Sequence, residues 1–160
     1  MSKLIIITGT PGTGKSTLAK VLAQKLKYRR VNLHRYYKQL SVSYNTTKQC
    51  YDIDLKKFHV FMKEQKRKYS FLIVDSHISH FLPKRMVDFC IVLTCSNLKT
   101  LKKRLEQRKY SSRKVRENLD AEIFQVCLSG ATEKKHRIFL LDSSQQLNIS
   151  LLLQKIRKSL

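Results

Sequence analysis

The residues Gly9-Thr10-Pro11-Gly12-Thr13-Gly14-Lys15-Ser16 follow the pattern G-x-x-x-x-G-K-[ST] and gather three of the chain's four glycines and one of its two prolines. Glycine lets backbone curl tightly and come close to a ligand, which a phosphate-binding loop requires. Amides of residues 12 to 17 would then point inward around phosphate oxygens, assisted by the positive end of the following helix. Lys15 would set its ammonium on the β and γ phosphates, and the Ser16 hydroxyl would coordinate Mg²⁺. The pattern predicts a site for a nucleoside triphosphate.

A second group of residues must decide what is done with it. Val74-Asp75-Ser76-His77 places an acid directly after an apolar run. In such sites that acid holds Mg²⁺ through water or orients the attacking group; its alternative use is to cap a following helix. His77 is either a general base, a water-positioning group, or a polar end to the strand. Arg104, Arg108, Arg113 and Arg116 flank Tyr110-Ser111-Ser112, a composition suited to a lid that brings guanidinium groups to a migrating phosphoryl. Arg108, beside the break, is the foremost of them; the others are equally consistent with solvated helix positions. A GTPase would need an N-K-x-D motif, and Asn45-Thr46-Thr47-Lys48 is not one. Leu128-Ser129-Gly130-Ala131-Thr132 is faintly similar to the transporter ATPase signature, without room for that protein's helical subdomain.

Apolar segments alternating with amphipathic ones must position these groups. Residues 4–8 read as a buried strand, 15–27 as a helix with Leu18, Leu22 and Leu26 on one face, and 31–33 as a short second strand. Residues 34–54 are polar, tyrosine-rich and weakly periodic, which predicts a mobile insertion more than sheet. A helix is expected over 55–68, strands over 71–74 and 89–93, helices over 97–109 and 113–130, a strand over 137–141 and a helix over 147–158. Strands alternating with helices predict an α/β fold with a parallel sheet covered on both faces, and a ligand at the carboxyl ends of the strands.

The length of 160 residues fits one domain, 1–160. The chain enters its first strand almost at once and no apolar run approaches 18 residues, which predicts no signal peptide, no membrane partner and a cytoplasmic location. Cys50, Cys90, Cys95 and Cys127 have no C-x-x-C spacing and read as small hydrophobes in a reducing compartment. The net charge of +22, from 33 Lys and Arg against 11 Asp and Glu, exceeds what one nucleotide needs. Such a field attracts polyanions, RNA foremost, or belongs to a solvated basic surface.

The chain resembles the archaeal adenylate kinases and their eukaryotic relative, the sixth adenylate kinase isoenzyme, also described as a coilin-interacting nuclear ATPase. The resemblance spans nearly the whole chain. It rests on residues 9–17, Val31-Asn32-Leu33, Val74-Asp75-Ser76-His77 with Phe81-Leu82-Pro83, residues 104–110, and Glu117-Asn118-Leu119-Asp120-Ala121-Glu122-Ile123-Phe124-Gln125-Val126. It implies a P-loop nucleoside monophosphate kinase fold with a five-stranded parallel sheet, a monophosphate-binding insertion near 31–54 and a lid near 107–117. By similarity Gly12, Gly14, Lys15, Ser16, Thr17 and Arg108 bind ATP. Asp75 and His77 form a modified Walker B pair, with Ser16 and Asp75 on the metal side and Asn32, Lys38 and Asp54 on the AMP side. The implied reaction is ATP with AMP giving two ADP, alongside intrinsic ATPase activity. Relatives also mature the small ribosomal subunit, which implies a ribosomal protein and rRNA as partners. The alternative the resemblance leaves is an ATPase assembly factor with little AMP kinase activity.

This chain departs from the family pattern at several places. Lys38 stands where the family usually has arginine and offers a point charge instead of a fork. The usual acidic stretch is Tyr44-Asn45-Thr46-Thr47-Lys48-Gln49, Cys95 replaces a common arginine at the end of the fourth strand, and Lys109 replaces the lid's usual glycine. These departures bear on AMP phosphorylation more than on ATP binding.

Overall fold

A computed structural model describes residues 1–160. Its central sheet is built from β1 (Lys3–Thr8), β2 (Arg29–Asn32), β5 (Phe71–Asp75), β6 (Phe89–Thr94) and β7 (Ile138–Asp142) in the order β2-β5-β1-β6-β7. Every pairing in this sheet is parallel. Leu4-Ile5-Ile6-Ile7 at its centre are fully buried, as a run covered on both faces must be. The expected α/β architecture is present.

Alternate residues of β1 feed two cores. Leu4 and Ile6 join Phe58, Phe61 and Met62 of helix α3 (Leu55–Lys68) and Ala131 of α6 (Val126–Glu133). Ile5 and Ile7 join Leu18, Ala19 and Leu22 of α1 (Lys15–Leu26) and Leu152 and Ile156 of α7 (Ile149–Ser159). A third, small core of Cys95, Leu101, Leu105 and Val115 ties α4 (Leu98–Gln107) to α5 (Ser112–Ile123).

Local chemistry sets the helix ends. Asp54 caps α3 by accepting from the amides of Lys56 and Lys57, and Asn97 and Ser111 cap α4 and α5 in the same way. After α4 the chain turns through Lys109 at φ 57°, a left-handed conformation that explains why glycine suits this position.

Three expectations are corrected. Residues 34–54 are ordered: a 3₁₀ turn (Leu33–Tyr36), the short helix α2 (Tyr37–Leu40), and an antiparallel hairpin of β3 (Ser41–Asn45) and β4 (Cys50–Ile53). Tyr44 faces Tyr51 across the hairpin with ring centroids 5.0 Å apart, and Tyr37 and Leu40 are buried in the core. The helix expected over 113–130 is two helices, because Gln125 adopts φ 51° and turns the chain between α5 and α6. The second strand is also displaced, covering Arg29–Asn32 with Leu33 already in the turn. No helix is long and apolar enough to cross a membrane, and all four cysteines are free, Cys90 and Cys95 buried.

Candidate active site

The loop between β1 and α1 lies over the carboxyl edge of the sheet. Gly12 and Gly14 take φ of 89° and 93°, and a Cβ on Gly12 would lie 3.0 Å from Leu101 of α4. A Cβ on Gly9 would lie 2.2 Å from the Leu93 carbonyl oxygen at the end of β6. Glycine at these places lets the loop curl and seat against β6 and α4. The first-turn amides of α1 have no upstream carbonyl to meet, which leaves them for an anion.

Lys15 lies within this loop, its Nζ donating to the Thr10 carbonyl at 2.9 Å. Burial holds its ammonium down to a pKa of about 8, Cys127 pulling it back up and Arg108 adding to the depression. Ser16 Oγ donates to Asp75 Oδ2 at 2.7 Å, so the two residues expected on the metal side are adjacent. Asp75, 4% exposed, does not cap a helix. Its carboxylate instead receives a two-pronged bond from Arg30, Nε to Oδ1 at 2.7 Å and Nη2 to Oδ2 at 2.9 Å.

His77 is half-buried two residues further on. Burial, reinforced by the nearby Lys15 charge, pushes its pKa down to about 3. So low a pKa favours the water-positioning reading of His77 over the general-base one. The ring is a neutral imidazole that can orient a water or a ligand. Tyr37 reaches it, with its hydroxyl 2.6 Å from Ser76 Oγ and 3.4 Å from His77 Nδ1. The insertion is thereby tied to the Asp75-Ser76-His77 segment.

The remaining expected residues divide. Asn32 ends β2 in register with Asp75, at the same sheet edge. Lys38 is exposed on α2, and the Asp54 carboxylate is engaged by the amides of α3. Asp54 caps α3 through Oδ1, and no contact brings it toward Asp75. Arg108, at the end of α4, lines a cavity of about 570 Å³ together with Gly12, Gly14, Thr17, Arg104 and Ser143. Arg104 also donates to the Gly12 carbonyl at 3.3 Å. Arg113 and Arg116 pair instead with Glu117 and Asp120 one turn along the exposed face of α5, as ordinary helix-surface residues do.

Two contributors escaped the sequence reading. Arg30 is one. The other is Glu122, 4% exposed, whose Oε2 accepts from the Thr10 hydroxyl at 2.5 Å and whose Oε1 accepts from the Cys95 amide at 2.7 Å. It belongs to the acidic run at 117–122, but partners 112 and 27 residues away leave no local trace.

No group of three or more His, Cys, Asp or Glu side chains could cage a metal. Mg²⁺ in nucleotide sites takes one or two protein oxygens, with substrate phosphates and water completing its shell. The Ser16–Asp75 pair beside the phosphate loop fits this need.

The chain is similar to known proteins in sequence and in fold. The family model described as an AAA domain matches residues 5–125. A protein of Methanocaldococcus jannaschii described as "Putative adenylate kinase" is 38% identical over 144 residues, covering 89% of this chain and 77% of that protein. Adenylate kinase isoenzyme 6 homolog FAP7 of Saccharomyces cerevisiae is 37% identical over 132 residues, covering 81% of this chain and 66% of that one. In fold, shikimate kinase of Acinetobacter baumannii superposes with a TM-score of 0.65 at 13% identity, covering 99% of this chain and 92% of that chain. A nucleotide loop on a kinase fold, with relatives of this identity across most of its length, makes the chain a phosphotransferase that belongs to the family of archaeal adenylate kinases and adenylate kinase isoenzyme 6 homologs.

Proposed function

We propose that the chain transfers the γ-phosphoryl group of ATP to AMP, forming two molecules of ADP. An oxygen of the AMP phosphate attacks the γ-phosphorus in line, and the bond to the β–γ bridging oxygen breaks with its electrons leaving on ADP. The loop amides around Gly12 and Gly14 and the Lys15 ammonium hold the donor phosphates. Ser16 and Asp75 would hold Mg²⁺, which would supply neutralisation of charge on the donor phosphates. Thr17, Arg104 and Arg108 line the cavity for the rest of ATP, and Arg108 begins the lid of residues 107–117. The insertion of residues 31–54 presents the acceptor through Asn32 and Lys38. Little covalent assistance is needed, because positioning and charge neutralisation carry most of such a reaction.

The observation that carries this reading is the convergence of Lys15, Ser16 and Asp75 at a loop that curls through Gly12 and Gly14. Its test is ADP formation from Mg·ATP with and without AMP, in the wild type and in Lys15→Ala. AMP-dependent ADP formation that the substitution abolishes is expected. Near-normal turnover by Lys15→Ala refutes the site.

A second reading is favoured by the +22 charge and by the engagement of Asp54 in a helix cap. On it, water takes the acceptor's place, a neutral His77 orients that water, and hydrolysis drives release from a ribosomal protein and rRNA. AMP-independent phosphate release, stimulated by RNA, distinguishes it. RNA affinity must then fall steeply with salt, since phosphate contacts release counterions.

A further inference from the structure

The Asp75 carboxylate accepts three hydrogen bonds within the protein: two from the Arg30 fork and one from Ser16 Oγ. A carboxylate offers about four acceptor positions, so these bonds leave it nearly saturated. The Ser16 bond is compatible with metal binding, because that hydroxyl can give its proton to Asp75 while a lone pair of its oxygen faces a cation. The Arg30 fork is not neutral in this way. It takes a position on each carboxylate oxygen where a metal-bound water would donate, and it sets a permanent positive charge beside the place of a divalent cation.

The fold fixes Arg30 there. It pairs with Ile73 in the sheet register, two residues before Asn32 pairs with Asp75, so its side chain runs along the same face of the sheet toward the strand end. The Arg30 side chain is 16% exposed and the Asp75 side chain 2%, which places the pair largely out of water. A fork held by two short bonds in such surroundings is a stable arrangement with defined geometry.

We propose that Arg30 is a built-in counter-ion for Asp75 that weakens the coupling between nucleotide binding and divalent metal at this site. The inference rests on the reading of Ser16 and Asp75 as the metal-side pair. Arg30 is a positioning residue: it acts through Asp75, whose charge it neutralises before any metal arrives. The chain accordingly binds nucleotide with little help from Mg²⁺.

The test uses the full chain in excess over the β,γ-imido analogue of ATP, which cannot be turned over. Mn²⁺ is titrated in, and unbound Mn²⁺ is followed by electron paramagnetic resonance for the wild type, Arg30→Gln and Arg30→Lys. Removing the charge and the fork in Arg30→Gln is expected to tighten Mn²⁺ binding on the order of tenfold, the scale on which groups behind a metal's ligands act. Arg30→Lys, which keeps the charge and loses the fork, is expected to tighten it less. Unchanged or weaker Mn²⁺ binding in Arg30→Gln overturns the proposal. Thermal melts show whether each variant is folded. Should Arg30→Gln fail to fold, the wild type decides through its affinity for the same analogue in chelator and in excess Mg²⁺. A difference under about tenfold is expected, equivalent to about 1.4 kcal/mol, and a larger one overturns the proposal. Absence of nucleotide binding in both conditions overturns the phosphate-loop reading as well. Binding with unchanged Mn²⁺ affinity in Arg30→Gln overturns the Arg30 assignment alone.

Discussion

Replacing Glu122 by alanine isolates the attachment of the phosphate loop to the rest of the fold. The buried carboxylate accepts from the Thr10 hydroxyl at 2.5 Å and from the amide of fully buried Cys95 at 2.7 Å. Hydrogen bonds to a charged group contribute about 1.5–3 kcal/mol each, and an amide stranded without an acceptor adds to the loss. Relief from desolvating the carboxylate offsets part of this. The net expectation is a loss of about 3 kcal/mol, which for a chain of this size lowers Tm by about 6–12 °C. Function should suffer too, since the carbonyl of Thr10 accepts from both Lys15 Nζ and Thr13 Oγ1. Glu122→Gln keeps one acceptor for the Cys95 amide and should lose only about 1 kcal/mol. Thermal unfolding by circular dichroism and fluorescence titration with a labelled ATP analogue measure the two effects. An alanine variant that melts within about 2 °C of wild type and binds nucleotide equally well refutes the anchoring role.

Gly9→Ala should also fail at the loop, because its Cβ would meet the Leu93 backbone oxygen at 2.2 Å, and backbone cannot swing aside as a side chain can; a loss of about 2–3 kcal/mol is expected in denaturant unfolding. Acid should destabilise the fold well above the carboxylate range. Burial lowers His77 to about 3, His80 to about 4, and His136 as well. The unfolded chain then binds more protons than the folded one as pH falls below about 6.5, so stability declines from there. Urea midpoints measured from pH 7 to pH 4.5 should fall progressively, and His80→Gln should flatten the decline.

Much of the donor half was legible because its signals are local. The loop needs glycine at left-handed or crowded positions, and Gly12 and Gly14 occupy them. Helix α3 was readable to its ends, since Leu55, Phe58, Phe61 and Met62 recur at helical spacing. The insertion was not. Its hairpin is mostly exposed and rests on a Tyr44–Tyr51 pair and a left-handed Gln49 instead of alternating apolar residues. The break at Gln125 uses neither glycine nor proline, the residues by which helix ends are usually recognised. Arg30 and Glu122 stayed hidden for a different reason. Arg30 looked like one more cation in a basic stretch, and its partner lies 45 residues away, brought adjacent only by the parallel pairing of β2 with β5.

We propose that a phosphoryl group passes from ATP to AMP in this site. Its most direct test supplies ATP labelled in the γ-phosphoryl group together with AMP, and separates the products. Label is expected in ADP, dependent on AMP and lost in Lys15→Ala. Label recovered solely as inorganic phosphate, at a rate indifferent to AMP, contradicts it.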